Sequence, residues 1–186
     1  MSTTYFKRYR MEVDLRRRRF ELGGLPPGYR LVAWHPELLE EHAETKFECF
    51  RDGIDAAVFP CLGELSGCHQ LMDEIRSKEG LLPEATWLVQ HRPLSTSMWE
   101  SVGTIQGVRM SRRYGGIQNV GLTEPHRNRG IGQLLVSTAL AGFQHVGVQR
   151  VYLEVTVQND RAVKFYQRLG FRRTKTLYKA VELAYS

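Results

Sequence analysis

The run Gly115–Val146, GGIQNVGLTEPHRNRGIGQLLVSTALAGFQHV, decides how the chain is read. Ile117, Val120 and Leu122 follow Gly115-Gly116 and predict a short strand. Pro125 forbids its continuation. From Ile131 the apolar residues fall at 131, 134, 135, 139, 143 and 146, close to helical spacing. Between strand and helix lies Arg127-Asn128-Arg129-Gly130-Ile131-Gly132. A helix N-terminus presents unpaired N–H groups and the positive end of the macrodipole. Glycine there lets an anion approach the backbone closely. Arg127 and Arg129 add positive charge. The segment therefore predicts a site for a phosphate or pyrophosphate.

It is not a Walker A loop, because no Gly-Lys-Ser/Thr follows the glycines. Nor does it have the spacing of a GxGxxG dinucleotide loop. The pattern Arg127-x-x-Gly130-x-Gly132, with a strand before it and an amphipathic helix after it, resembles the acyl-CoA pyrophosphate loop of the GCN5-related N-acetyltransferases (the GNAT superfamily).

A second stretch supports the same resemblance. Asn159–Phe171, NDRAVKFYQRLGF, is similar to the N-x-x-A-x-x-x-Y-x-x-x-G-F signature of that superfamily. Asn159, Ala162, Tyr166, Gly170 and Phe171 fill its positions, and the two motifs stand in the family's order. The resemblance runs from Tyr29 to Ser186 and is specific from Val120 onward.

The remaining elements can be placed around these motifs. Tyr5, Tyr9, Met11, Val13 and Leu15 alternate as a first strand. Leu22–Gly28 is a loop by composition, so residues 1–28 are expected to form a short N-terminal extension ahead of one domain, 29–186. Tyr29–Trp34 is a strand. His35-Pro36 opens a helix with Glu37, Glu40 and Glu41 near its positive end, closed by Asp52-Gly53. Ile54–Pro60 is expected to be a connector and Leu62–Lys78 a second helix. Strands follow at Ala85–His91 and Ser101–Met110. Arg150–Val157 alternates most cleanly, with Val151, Leu153, Val155 and Val157 on one face. Asn159-Asp160 caps the last helix. Phe171–Lys175 and Thr176–Ala184 are expected to be a closing pair of strands. The fold class is α/β (α+β): a mixed, mostly antiparallel sheet of about six to seven strands with about four helices.

A chain of 186 residues suits one domain with a sizeable core. No apolar run approaches the ~20 residues of a membrane helix. The first twenty residues are basic but lack the apolar centre of a secretory signal, which predicts a cytoplasmic protein. The formal charge of +6 fits a polyanionic cofactor or a nucleic acid. No nucleic-acid motif accompanies Arg16–Arg19, which read as a solvated turn. Cys49, Cys61 and Cys68 are odd in number and match no standard zinc spacing with His69, so free thiols and no metal are expected.

The resemblance implies acetyl transfer from acetyl-CoA to a primary amine. Its strand backbone at Leu122 and Thr123 would pair with the pantetheine arm. The amides of Arg127, Asn128, Arg129, Gly130, Ile131 and Gly132 would take the pyrophosphate. Asn159, with Ala162 beside it, would hold the pantetheine arm. Tyr166 would protonate the leaving thiolate. Glu154 in Leu153-Glu154-Val155 resembles the glutamate that draws the amine's proton through water in ribosomal-protein N-terminal acetyltransferases. A carboxylate there could instead pair with Arg150 or Lys164, and a water chain without a single base fits as well. His126 could titrate beside the loop. The partners implied are acetyl-CoA and an amine-bearing small molecule or peptide, with no membrane or nucleic acid and with homodimerisation left open. The acceptor site is expected from Pro36–Lys78 and the last strands. Two other classes stand against this reading: an acyl-CoA sensor without transfer, and a basic nucleic-acid-binding protein.

Overall fold

Val151, Leu153 and Val155 alternate with Tyr152 and Glu154 along a strand, Arg150–Thr156, and all three apolar side chains are buried. A computed structural model describes residues 2–183, and this strand lies inside its seven-stranded sheet. The strands are β1 (Ser2–Asp14), β2 (Tyr29–Ala33), β3 (Trp87–His91), β4 (Glu100–Ser111), β5 (Tyr114–Leu122), β6 (Arg150–Thr156) and β7 (Arg172–Leu183). Their order is β2-β3-β4-β5-β6-β1-β7. Every neighbouring pair is antiparallel except β5–β6. The α/β class and the mostly antiparallel sheet are as expected.

The helices are α1 (Leu39–Phe50), α2 (Ile54–Val58), α3 (Leu65–Arg76), α4 (Ile131–His145) and α5 (Asp160–Arg168). Helices α4 and α5 cover one face of the sheet, where Leu135, Leu140 and Phe143 pack against Met11, Val13 and Val151. Burying each such side chain contributes about 1.5–3 kcal/mol. On the other face, Ala43 of α1 meets Cys68, Met72 and Ile75 of α3 and Val108 of β4. Among the described residues, no helix is long and apolar enough to cross a membrane.

Three sequence expectations change. Residues 1–28 are not a peripheral extension, because β1 sits between β6 and β7 and pairs with both. Met11 faces Leu153 and Val13 faces Val151 across the ladder, and both are buried. Apolar burial on a central strand outweighs the boundary suggested by the Gly/Pro-rich loop. The connector Ile54–Pro60 contains helix α2. The closing pair of strands is one strand, β7, because β1 templates it along its whole length, from Glu12↔Arg172 to Ser2↔Leu183. Ala184, where the second of that pair was expected to end, lies outside the described residues, as do 185 and 186.

The inner face of α1 is unexpectedly polar. Lys46 is fully buried and donates from Nζ to Asn119 Oδ1 at 2.8 Å. His42 is also buried, sharing a hydrogen bond with Thr104 Oγ1 at 2.8 Å. Burial, and secondarily Lys46, pulls the His42 imidazole down to about 3. Burial pulls the Lys46 ammonium down to about 7, against nearby cysteines that raise it.

Two outcomes are expected. A Cβ at Gly142 of α4 would run into the backbone carbonyl of Glu84. Gly142→Ala should cost about 1–3 kcal/mol in urea unfolding, whereas Gly23→Ala, with open space around it, should change stability by less than about 0.5 kcal/mol. For Lys46, the penalty of burial is fully present below about 7 and fades as pH rises towards the ordinary 10.5, because there the unfolded chain binds a proton that the folded one does not. Wild type should therefore gain stability relative to Lys46→Met between about pH 7 and about pH 10. Parallel curves for the two proteins would show that Lys46 keeps its proton when folded.

Candidate active site

Strands β5 and β6 run together for only three registers, Tyr114↔Arg150, Gly115↔Val151 and Gly116↔Tyr152. Beyond that point β5 stays on β4 as far as Leu122, and β6 stays on β1 as far as Thr156. The two strands therefore diverge. The opening holds a cavity of about 360 Å³, lined by Ile117–Val120 of β5 and Tyr152–Val155 of β6. A larger cavity, about 800 Å³, continues past the end of β5 to the start of α4. The two share one wall: Phe50, Asp55, Val120, Asn159, Ala162 and Tyr166. Both volumes fall in the ordinary range for small-ligand sites, roughly 300–1,000 Å³.

The end of β5 carries a correction. Both backbone groups of Thr123 are used inside the protein: its N–H donates to Val102 O at 2.9 Å and its carbonyl accepts from His126 N–H at 3.0 Å. Peptide groups alternate sides along a strand. Val120 and Leu122, rather than Thr123, therefore turn towards the opening. Arg127 Nε already donates to the Leu122 carbonyl at 2.9 Å, and its Nη2 donates to Cys49 O at 3.3 Å. Arg127 thus ties the loop to β5 and α1, and Arg129 is the loop arginine left without such bonds among the described residues.

The loop itself has the form that an anion needs. Asn128 lies at φ 62 and Gly130 at φ 77, both left-handed. Gly130 is the N-cap of α4 and supplies no side-chain cap, so the first-turn amides of Ile131, Gly132 and the next residue have no side-chain acceptor. The Ile131 side chain is anchored in the core. Gly132 lines the larger cavity beside Leu122 and Phe165. Asn128 bonds Arg161 of α5 through its Oδ1, which joins the loop to the second motif. A three-ring cluster of Tyr29, His91 and His126 sits at the loop's entry, with the Tyr29 hydroxyl and His126 Nδ1 sharing a bond at 2.6 Å. Burial, then His91 and Arg129, lower the His126 imidazole, which favours its neutral form and a packing role.

In α5, Asn159 Oδ1 caps the helix by accepting from Ala162 N–H at 3.2 Å. That leaves its Nδ2 to donate into the cavity. Tyr166 is 9% exposed, flanked by Phe165 and Phe171, and reaches both cavities. Burial, reinforced by Asp55, pushes its hydroxyl well above the ordinary tyrosine range. It holds its proton until a strong base asks for it.

Glu154 is engaged differently from either partner expected. Arg10 Nη2 and Nε donate to its Oε1 at 2.8 and 3.2 Å, and Arg8 Nη1 donates to Oε2 at 3.2 Å. Both guanidiniums come from β1, not from Arg150 or Lys164. Asp55 lies in the segment read as a connector, and no motif marked it. Its carboxyl is raised by burial, which outweighs the opposing effect of Arg8.

Comparison with known proteins places this geometry. Residues 67–171 match the model of the acetyltransferase (GNAT) family. The chain is 37% identical over 65 residues to N-alpha-acetyltransferase 30 of Schizosaccharomyces pombe, which is 35% of this chain and 43% of that protein. It is 35% identical over 101 residues to N-alpha-acetyltransferase MAK3 of Arabidopsis thaliana, 53% of this chain and 50% of that protein. The chain thus spans half or less of the length of these curated relatives. Among solved structures, a GCN5-related N-acetyltransferase from Sphaerobacter thermophilus superposes with a TM-score of 0.70 at 22% identity, over 94% of this chain and 50% of that one. Ard1 from Thermoplasma volcanium gives 0.60 at 21% identity, over 84% of this chain and 99% of that one. These two structures share the fold.

Proposed function

The chain belongs to the acetyltransferase (GNAT) family, and we propose that it moves an acetyl group from acetyl-CoA directly to a primary amine while both are bound. The observation that carries this reading is the shared wall of the two cavities, because a ligand in one meets a ligand in the other beside Tyr166. The larger cavity suits the nucleotide end and the pantetheine arm of the donor. The uncapped amides at Gly130–Gly132 and the charge of Arg129 suit its pyrophosphate. The Val120 and Leu122 backbone and the Asn159 amide suit the pantetheine. The smaller cavity takes the acceptor. The likeness to two N-alpha-acetyltransferases favours the α-amino group of a peptide as the amine. Free thiols at all three cysteines suit a reducing compartment such as the cytoplasm.

Attack of a neutral amine on the thioester carbon forms the C–N bond. The C–S bond breaks, and the electron pair leaves on sulfur. Tyr166 gives its proton to that sulfur and regains one, through water, from the new ammonium nitrogen. A phenol that burial keeps protonated is suited to this task.

Two variants test the reading. Gly130→Asp puts a negative charge where the pyrophosphate sits, in a place with no protein atom within 4 Å. Acetyl-CoA binding by calorimetry should weaken by at least ~2 kcal/mol, or about 30-fold, while Gly130→Asn, with a similar tolerance of left-handed backbone, weakens it far less. Equal loss in both would assign the effect to backbone strain. Tyr166→Phe keeps the ring packing and deletes the acid. Its kcat should fall by roughly 10²–10³ with acetyl-CoA affinity within about threefold, assayed on N-terminal tetrapeptides and spermidine. Unchanged turnover in a folded Tyr166→Phe protein removes Tyr166 from the mechanism.

A further inference from the structure

An amine that arrives as an ammonium has to lose a proton before it can attack, and the wall between the cavities holds few groups able to take one. Two titratable side chains stand in both cavities: Tyr166 and Asp55. Tyr166 is protonated and serves as an acid. Glu154 lines only the smaller cavity, and each of its oxygens accepts from a guanidinium of β1. Its geometry is that of a clamp: it holds Arg8, whose Nη2 also donates to the Glu154 carbonyl at 3.1 Å and whose guanidinium lies 4.6 Å from the Phe59 ring.

Asp55 has the opposite surroundings. It sits in the first turn of α2, on the side of the opening facing Tyr166, and no side chain among the described residues hydrogen-bonds its carboxylate. The charged and titratable side chains that line these cavities with it are Arg8 from β1, Glu154 and Tyr152 from β6, Tyr166, Arg161 and Arg168 from α5, Arg127 from the loop, Cys61 after α2 and Cys49 from α1. We infer that Asp55, not Glu154, receives the acceptor's ammonium and takes its first proton. The inference rests on the transferase reading above and deepens it.

The step balances. Asp55 accepts one proton from R–NH₃⁺, leaving R–NH₂, and later releases it to solvent. The amine's lone pair forms the C–N bond, sulfur leaves with the C–S pair, and Tyr166 supplies the proton on sulfur. Burial strengthens the role, since it raises the affinity of the Asp55 carboxylate for a proton despite Arg8. Arg8 in turn, clamped by Glu154, opposes that rise.

The test measures acetyl transfer to N-terminal tetrapeptides and to spermidine across pH, for wild type, Asp55→Asn, Asp55→Glu and Glu154→Gln. The wild-type kcat/KM should rise as pH passes the raised Asp55 value. In Asp55→Asn, kcat/KM should fall about 10²-fold or more, and its logarithm should climb with unit slope to the pKa of the free amine. Acetyl-CoA affinity by calorimetry should stay within about threefold of wild type, which shows that the variant is folded. Asp55→Glu should recover part of the rate. Glu154→Gln should lower the melting temperature and retain a rising limb, displaced to higher pH as Arg8 loosens. Wild-type rates in Asp55→Asn, or loss of that limb in Glu154→Gln alone, would overturn the assignment to Asp55 and leave the transferase reading standing. A wild-type protein that acetylates none of the probes withdraws both.

Discussion

The site depends on two neighbouring parallel strands that cannot stay together. Strand β5 is held along its length by β4, and β6 by β1. Between them only three registers pair, and the Tyr152 ring lies over Gly116 at the last of these. Sheets twist, and two strands pulled by different partners separate along the twist. The peptide groups turned into the gap have no strand opposite them. Backbone donors and acceptors removed from water need partners, so the gap is a standing demand for a ligand that offers amide-like groups. An extended chain alternating carbonyl and N–H answers that demand, and the pantetheine arm is such a chain.

The N-terminal strand thus helps shape the opening and is not an appendage to the sheet. It supplies the ladder that holds β6 away from β5, and it also supplies Arg8 and Arg10. Removing two guanidiniums and a carboxylate from water is costly, and such a cluster is weak evidence for stability. What it provides is position. Glu154 fixes Arg8 against Phe59, and Arg8 sets the field at Asp55. Lys46 of α1 is a parallel case on the other side of the gap. Its fully buried amine holds the Asn119 side chain, and Asn119 lines the opening from β5.

How much of this could be read from the sequence follows from the distances along the chain. The loop Arg127–Gly132 and the run Asn159–Phe171 are local: each motif, its strand and its helix lie within some thirty residues, so the elements could be read from glycine positions and apolar spacing and the motifs from their resemblance to the superfamily's signatures. The chemistry that depends on β1 was invisible for the opposite reason. Arg8 meets Glu154 across 146 positions, and no periodicity in either segment announces that pairing. Asp55 sits in a five-residue helix, too short to show a helical pattern, beside Pro60, so it was read as a connector. Thr123 was misplaced by one step of strand alternation, a detail fixed by the register of β5 on β4 and by the turn that follows. Arg127 has the composition of a phosphate ligand, yet its guanidinium closes on Leu122 and Cys49 carbonyls that only the folded chain brings together.

One physical effect accounts for both halves of the proposed proton traffic. Desolvation disfavours the charged form of any acid, so it raises phenol and carboxyl alike. For Tyr166 the consequence is that the neutral, proton-bearing form prevails, and the group can only give. For Asp55 the same effect raises the carboxyl's affinity for a proton, against the opposing charge of Arg8. The charge on Asp55 adds to the rise at Tyr166. Once an ammonium's proton has neutralised Asp55, that contribution disappears, and the Tyr166 hydroxyl becomes a better acid at the stage when the thiolate departs. Two acids placed in one wall are therefore coupled in the order the reaction needs.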